Sequence, residues 1–196
     1  MGAVQRIFYY HVPSAWTAFL LFFINFGSSV YYLIKRCATA DIVALVCAEV
    51  GVVFCTVVLI TGPIWARPVW GIWWTWDARL TTTLVLWLIY VSYLLLRKFA
   101  AGPQMQTLAA VLAVFGALDV PIVYMANRWW RTQHPAPVFG GGDDSGIKDP
   151  QMLAAFGWNV LAWACWGLLL LGIRVYVERR QQRINTASAR AALAAD

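Results

Sequence analysis

Charged residues are scarce in this 196-residue chain. Asp, Glu, Lys and Arg together make up 12% of it, whereas apolar residues make up 61% and the mean hydropathy is +0.64. Soluble domains carry about twice that share of charge. The composition therefore excludes an ordinary soluble domain and indicates an integral membrane protein, with no room for a separate soluble domain beside several spans of about 20 residues each.

Motifs that would carry covalent, redox or ATP chemistry are also missing. The four cysteines, Cys37, Cys47, Cys55 and Cys165, form neither CxxC nor CxxCH and lack metal-ligand spacing. Three of them lie in apolar runs, which is typical of small packing residues. The pattern excludes a c-type haem protein and a thiol oxidoreductase. A GxxxxGK[ST] loop is absent, so any pumping would depend on a partner.

Five apolar runs are each long enough to cross the hydrocarbon core as a helix. The sequence therefore predicts an all-α polytopic membrane protein that forms a single domain over residues 1–196. No cleavable signal peptide is expected, because no apolar stretch precedes the first charge. The expected spans are about 14–34, 42–62, 80–96, 104–125 and 151–173, with a Trp-rich loop over 63–80, an outer loop over 126–150 and a basic tail over 174–196.

Positive charge is distributed unevenly over the loops. Nine Lys and Arg residues follow spans one, three and five, and six lie on the opposite segments. The richer side is expected to be cytoplasmic, so the net charge of +6 reports topology and not nucleic acid binding. The N-terminus and both aromatic loops then share the outer face. The nine are Lys35, Arg36, Arg97, Lys98, Arg174, Arg179, Arg180, Arg183 and Arg190.

Five tryptophans lie within twelve residues, from Trp65 to Trp76, in the run GPIWARPVWGIWWTWDARLTT. A flat apolar ligand would explain the cluster, because indole offers a large rigid face with one polar N–H. An interfacial tryptophan belt explains it about equally well. The outer belt is expected to include Tyr9, Tyr10, Trp16, Trp129, Trp130 and Trp158.

The carboxylate near the end of this run favours the flat apolar ligand over the interfacial belt. A helix starting at Pro68 would put four side chains on one face and turn Arg79 away from it. A carboxylate in the middle of that face fits lipid poorly, although Asp77 could instead form an ion pair with an arginine of the same loop. The four side chains are Trp70, Trp73, Trp74 and Asp77.

The chain has only two histidines, His11 and His134, and both are predicted to lie outside the spans. Four spans separate them, so both face the compartment that the Trp-rich loop faces. Neutral imidazole is a common ligand of haem iron, and two loops could bring one imidazole to each side of the iron. Four arginines could bind the two carboxylates of haem. Their position is explained equally well if each side chain simply extends its charged end to the membrane surface. They are Arg67, Arg79, Arg128 and Arg131.

Mobility is expected to differ between the two histidines. His11 lies just before Pro13 at the start of a helix, whereas His134 precedes the Pro/Gly-rich stretch PAPVFGGGDDSG. We therefore expect His11 to be the fixed ligand and the loop carrying His134 to be a gate.

In the run WGIWWTWDARLTT the chain resembles the tryptophan-rich "WWD" haem-handling membrane proteins, in particular the haem exporter protein C family. The resemblance extends to HVPSAW around His11, to TGPIWARPVWG, and to NRWWRTQH around His134. The related haem lyase subunits typically continue the motif with Asp-Pro, whereas here Asp77 is followed by Ala78. That difference favours the exporter family.

The resemblance implies a delivery protein, and not an enzyme, of the bacterial cytoplasmic membrane. It implies haem b bound on the periplasmic face and presented to a periplasmic haem chaperone for c-type cytochrome biogenesis. Further implied partners are an ATP-binding cassette transporter pair and a small membrane adaptor, besides membrane lipid. The implied axial ligands are His11 and His134, and the implied motif contacts are Trp70, Trp73, Trp74, Trp76 and Asp77.

Family members usually have six spans, with one before the first histidine, whereas this sequence predicts five. Either the first helix is absent here or the sequence starts downstream of the true start. Three other functions stay open at this point. The first is a haem lyase subunit. The second is a cytochrome b-type or quinone-binding subunit, which would need histidines within helices. The third is a structural membrane subunit without haem.

Two acidic residues lie within predicted spans, Glu49 in the second and Asp119 in the fourth. No intramembrane Lys or Arg is predicted beside them, so each is expected to be protonated or hydrogen-bonded between helices. Pro121 is expected to kink the fourth span and so to aim the loop that carries His134.

Overall fold

The computed structural model describes residues 2–100, 102, 104–135 and 146–194, and within these ranges the chain is helical without a strand. Five segments are long and apolar enough to cross a membrane, which confirms the predicted five-span all-α architecture. A 3-10 helix over Gly2–Ile7 leads into α1 (Phe8–Lys35), α2 (Ala38–Trp70), α3 (Ala78–Phe99), α4 (Met105–Ala117), α5 (Asp119–Trp129) and α6 (Pro150–Leu193).

The core lies where α1, α2 and α3 meet. The ring of Phe22 on α1 stacks on the ring of Tyr90 on α3, with centroids 3.9 Å apart and planes 9° apart. On α2, a Cβ added at Gly51 would lie 2.6 Å from the Phe22 ring. Glycine at this position therefore lets α2 approach the aromatic pair.

Helix α1 begins earlier than the predicted first span. His11 lies in the first turn of α1 and not in a loop before it, so the prediction that neither histidine is helical is wrong for His11. The argument against a cytochrome b-type protein therefore applies only to His134, which lies beyond the end of α5.

Helix α2 continues through Pro63 and Pro68 to Trp70, so most of the predicted loop over 63–80 is helical. Gly71, with a left-handed φ of 78°, ends the helix, as glycine commonly does. Only residues 71–77 separate α2 from α3. The predicted helix starting at Pro68, with four side chains sharing one face, is wrong.

The fourth span is divided into α4 and α5 at Leu118. Pro121 follows three residues later and has no N–H to donate to the carbonyl of Ala117, the last residue of α4. Proline removes a helical hydrogen bond at this point, so the interruption lies where the kink is predicted, and the kink itself stays a prediction. The direction of α5 sets where the segment after Trp129 begins.

Ion pairs join the helices at the end of the bundle that carries the nine positive charges. Arg174 Nε lies 2.7 Å from Glu49 Oε2, so the expectation that Glu49 has no basic partner is wrong. Arg174 was predicted to lie in a tail, but α6 continues as a helix and turns this side chain toward α2. The Oδ2 atom of Asp119 is buried and accepts no hydrogen bond within the described residues.

A second pair joins α2 to α3. The guanidinium of Arg97 contacts both carboxylate oxygens of Asp41, and its Nη2 lies 2.9 Å from Oδ2. The side chains are only 8% and 12% exposed. Two parallel contacts of this kind fix the relative position of the partners, so this pair fastens the start of α2 to the end of α3.

Candidate functional site

The structure brings the two histidines together. The centroids of the His11 and His134 rings are 6.3 Å apart, and the ring planes are inclined by 33°. His11 comes from the first turn of α1 and His134 from the segment that follows α5. Two side chains far apart in the sequence therefore meet at the end of the bundle where α1 begins.

One ring nitrogen of His11 is engaged by helix α2. Nδ1 of His11 lies 2.9 Å from Thr61 Oγ1, and Thr61 Oγ1 donates its only proton to the carbonyl of Val57 at 2.7 Å. The imidazole must therefore donate from Nδ1 to Thr61. In the neutral ring this leaves a lone pair on Nε2.

His134 is held in the same tautomer. Its Nδ1 lies 2.9 Å from the carbonyl oxygen of Pro135, which can only accept. The side chain of Asn127 on α5 donates to the same carbonyl at 3.3 Å. Because Nδ1 of His134 must carry the proton, its Nε2 also holds a free lone pair.

The separation of the two ring centroids is the one expected for a single metal centre between two imidazoles. A metal–nitrogen bond of about 2 Å on each side, with about 1 Å from nitrogen to ring centroid, gives a centroid separation of about 6 Å. Within the described residues, no group of three or more His, Cys, Asp or Glu side chains could hold a metal ion. The two imidazoles supply two ligands to a metal between them.

A buried cation lies beside the histidines. The charge of Arg79, in the first turn of α3, acts on both imidazoles. Its Nη1 atom is buried and donates no hydrogen bond within the described residues, and the same holds for Trp74 Nε1. Buried donors without partners are rare in native proteins. Arg79 Nη1 is therefore available to bind an anionic group beside the histidines, and Trp74 Nε1 is available to donate from the segment before α3. The helix on which Arg79 was expected to point away from the indoles does not form, and the charge of Arg79 lies beside the histidines instead.

Asp77 has a local structural role. Its Oδ1 accepts a hydrogen bond from the backbone N–H of Leu80 at 3.0 Å, and Thr75 Oγ1 lies 3.2 Å from its Oδ2. Asp77 therefore caps the N-terminus of α3. No arginine pairs with Asp77 in the part of the chain that the structure describes, so the predicted alternative of an ion pair is wrong.

The tryptophans divide into packed and exposed side chains. Trp70 packs edge-to-face on Trp65, with centroids 5.2 Å apart, and Trp74 packs similarly on Trp76 at 5.7 Å. Trp73 is 59% exposed and Trp76 is 76% exposed. The short segment before α3 thus presents flat apolar surface outward. Arg128 lies over the ring of Tyr124, and Arg131 is exposed.

The described residues do not include 136–145, which belong to the predicted outer loop over 126–150. The predicted gate falls largely on that segment and stays a prediction.

Thr61 is a site residue that the sequence analysis did not predict. The signal for it was faint: a single hydroxyl at the end of an apolar span, directly before the run GPIW begins at Gly62.

The environment of His134 keeps its ring neutral. Burial and the charge of Arg79 lower its pKa from 6.5 to about 3, although the hydrogen bond to the Pro135 carbonyl acts in the opposite direction. Below about pH 6.5 the unfolded chain binds a proton at this histidine, whereas the folded chain does not until about pH 3. Through this group, the free energy of unfolding is therefore highest above about pH 6.5 and decreases as the pH falls toward 3.

We expect His134 to remain unprotonated between pH 7 and pH 5. The chain has two histidines, so the His11→Ala variant leaves a single imidazole whose titration NMR can follow in detergent micelles. The His134 resonances should not shift over this range. A midpoint near pH 6.5, the unperturbed value, would contradict the burial of the ring.

Comparison with known proteins gives a consistent result. The sequence model of the family described as Heme exporter protein C matches residues 1–190. The chain is 35% identical over 187 residues to the "Heme exporter protein C" of Bradyrhizobium diazoefficiens, which covers 93% of this chain and 70% of that protein. It is 31% identical over 184 residues to the protein of the same name from Escherichia coli K12, an alignment that covers 93% of this chain and 71% of that protein. It is 33% identical over 195 residues to the one from Paracoccus denitrificans, with 96% of this chain and 79% of that protein covered.

Proposed function

The chain belongs to the haem exporter protein C family, and from this premise we propose that it delivers haem for c-type cytochrome maturation as a multi-pass membrane protein. In this proposal it binds haem b at the periplasmic face of the bacterial inner membrane. It then presents the haem to a periplasmic haem chaperone. An ATP-binding cassette transporter pair and a small membrane adaptor are the proposed further partners.

The observation that carries the proposal is the pair of histidines with matched tautomers. Both Nδ1 atoms are engaged, by Thr61 and by the Pro135 carbonyl, so both Nε2 lone pairs are free for a metal. The two rings supply two ligands only, and a porphyrin supplies the remaining four to its iron. The two histidines therefore match the number of ligands that this proposal requires from the protein.

We propose specific roles for the surrounding residues. His11 and His134 are the axial ligands. Arg79 Nη1 and Trp74 Nε1, both buried and without a hydrogen-bond partner within the described residues, bind a haem carboxylate. The other tryptophans of the motif cover the apolar face of the ring, and one arginine in the last turn of α5 and one just beyond it supply further positive charge. These additional contacts are Trp70, Trp73, Trp76, Arg128 and Arg131, while Asp77 acts through its cap of α3.

Delivery requires that the bound haem can leave. His11 is part of α1 and is hydrogen-bonded to α2, whereas His134 lies on a non-helical segment tied to α5 through the Pro135 carbonyl. We propose that His134 dissociates first and that its loop acts as the gate. Haem then remains on His11 until the chaperone takes it.

Thr61 is expected to support this ligation. Groups that orient a metal-bound histidine typically change metal affinity by 10–100-fold when removed. The Thr61→Val variant removes the acceptor for the Nδ1 proton of His11 but keeps the shape, so its haem affinity should fall about tenfold or more. Thr61→Ser should restore the affinity. Equal affinities for the wild type and Thr61→Val would show that the hydrogen bond has no part in ligation.

Haem transfer tests the function as a whole. The purified protein is loaded with haem, its Soret band is recorded, and the periplasmic chaperone is added at increasing concentration. We expect haem to move to the chaperone and the two proteins to crosslink during transfer. If no Soret band appears after loading, the protein is a structural subunit. If it forms thioether bonds on an apocytochrome by itself, it is a haem lyase.

A further inference from the structure

A groove with four arginines lies at the opposite end of the bundle from the histidines. Helix α6 extends past the turn between α1 and α2, and a cleft of about 690 Å³ separates its extension from Thr39 at the start of α2. A second cleft of about 480 Å³ adjoins it, and the two share Gln182 and Thr186. The arginine groove is lined by Arg36, Arg179, Arg183 and Arg190.

The positive charge of the groove is not neutralised by the acidic residues around it. Within the described residues, Arg179, Arg183 and Arg190 form no ion pair. The carboxylates nearby are already engaged, because Asp41 pairs with Arg97 and Glu178 pairs with Arg174. The groove therefore carries about four uncompensated positive charges. The topology rule explains why these charges lie on this side of the membrane, but it does not require them to share one groove.

Arg36 is held in place by its backbone and its side chain. Its φ of 54° is the only positive value at a non-glycine residue in the described part of the chain. This left-handed conformation ends α1, and the backbone N–H of Arg36 donates to the carbonyl of Tyr32 at 2.8 Å. Its Nη1 donates to Thr107 Oγ1 on α4 at 2.5 Å, and its guanidinium lies over the ring of Tyr32.

The groove opens beside the turn that joins the ends of two spans, α1 and α2. Guanidinium groups bind phosphate oxygens through paired hydrogen bonds, and neutral donors such as Thr39 and Gln182 add to them. Basic pockets between helices at this level are suited to lipid headgroups.

We propose that the arginine groove binds the phosphate of an anionic phospholipid from the leaflet on this side of the membrane. The site is independent of the haem proposal, since it uses none of the same residues. Phosphate could in principle come from a lipid or from a soluble compound. The location at a span boundary favours the lipid, and the experiment below separates the two.

The test is made on the full chain in detergent, with phosphatidylglycerol or phosphatidylcholine added and the bound lipid counted by native mass spectrometry. Phosphatidylglycerol should bind preferentially and raise the Tm in a concentration-dependent manner. The variant Arg183→Gln/Arg190→Gln should bind it about 30-fold more weakly. Both side chains are exposed, so the fold should be retained, as circular dichroism can verify.

The matched control is Arg180→Gln, which removes a charge from the same helix. The guanidinium of Arg180 lies over the ring of Tyr176, and Arg180 does not line the groove. This variant should bind phosphatidylglycerol as the wild type does. The proposal is overturned if phosphatidylcholine binds equally well, if Arg180→Gln loses as much binding as the double variant, or if inorganic phosphate or ATP competes fully with the lipid.

Discussion

The double variant His11→Ala/His134→Ala is expected to lose haem binding by more than about 100-fold, since even groups that only orient a ligand change affinity by 10–100-fold. No other histidine exists in the chain to replace them. The Soret band after reconstitution with haem should therefore be absent. Each single variant should keep part of the binding but change from a six-coordinate to a five-coordinate spectrum.

The control for this experiment is Gln133→Ala, which alters the exposed neighbour of His134 and leaves both imidazoles in place. Its spectrum should match that of the wild type. Added imidazole should restore a six-coordinate spectrum to His134→Ala more readily than to His11→Ala, because the His134 segment is non-helical. If both single variants keep an unchanged six-coordinate spectrum, ligation by two histidines is wrong.

The variant Arg97→Ala is expected to destabilise the protein by about 3–5 kcal/mol, the usual cost of leaving one partner of a buried ion pair uncompensated. Asp41 would then keep a buried carboxylate with no cation to balance it. The start of α2 would also lose its attachment to the end of α3. Thermal or denaturant unfolding in detergent measures the effect.

Two further variants separate charge from packing at this pair. Lys98→Ala removes the neighbouring cation, which is exposed, and should change stability by no more than about 0.5 kcal/mol. Replacing both partners, as in Asp41→Leu/Arg97→Met, should recover most of the lost stability, because an apolar pair needs no compensation. An Arg97→Ala protein as stable as Lys98→Ala would contradict the burial of the pair.

The five spans could be predicted from the sequence because about 20 apolar residues in succession have few other uses in a protein. The helix ends could not be predicted. Pro63 and Pro68 each remove a helical hydrogen bond, which usually ends a helix in water, yet α2 runs through both to Trp70. Membrane helices tolerate such gaps because neighbouring helices compensate for them.

The pairing of His11 with His134 was expected from loop parity, but the contacts that orient the two rings were not. Thr61 meets His11 because α1 and α2 pack in one particular register, and no local pattern in the sequence encodes that register. The partner of Glu49 was missed for a related reason. Arg174 reaches it only because α6 remains helical beyond the apolar run.

The packing of α5 on α3 has a mechanical consequence for the site. Helix α5 has 11 residues and is about 16 Å long, and His134 lies just beyond its end. A tilt of about 10° in α5 would move that end by about 3 Å, more than the length of a metal–nitrogen bond of about 2 Å. The contacts between α5 and α3 therefore set the distance between the two imidazoles as directly as the loop that carries His134 does.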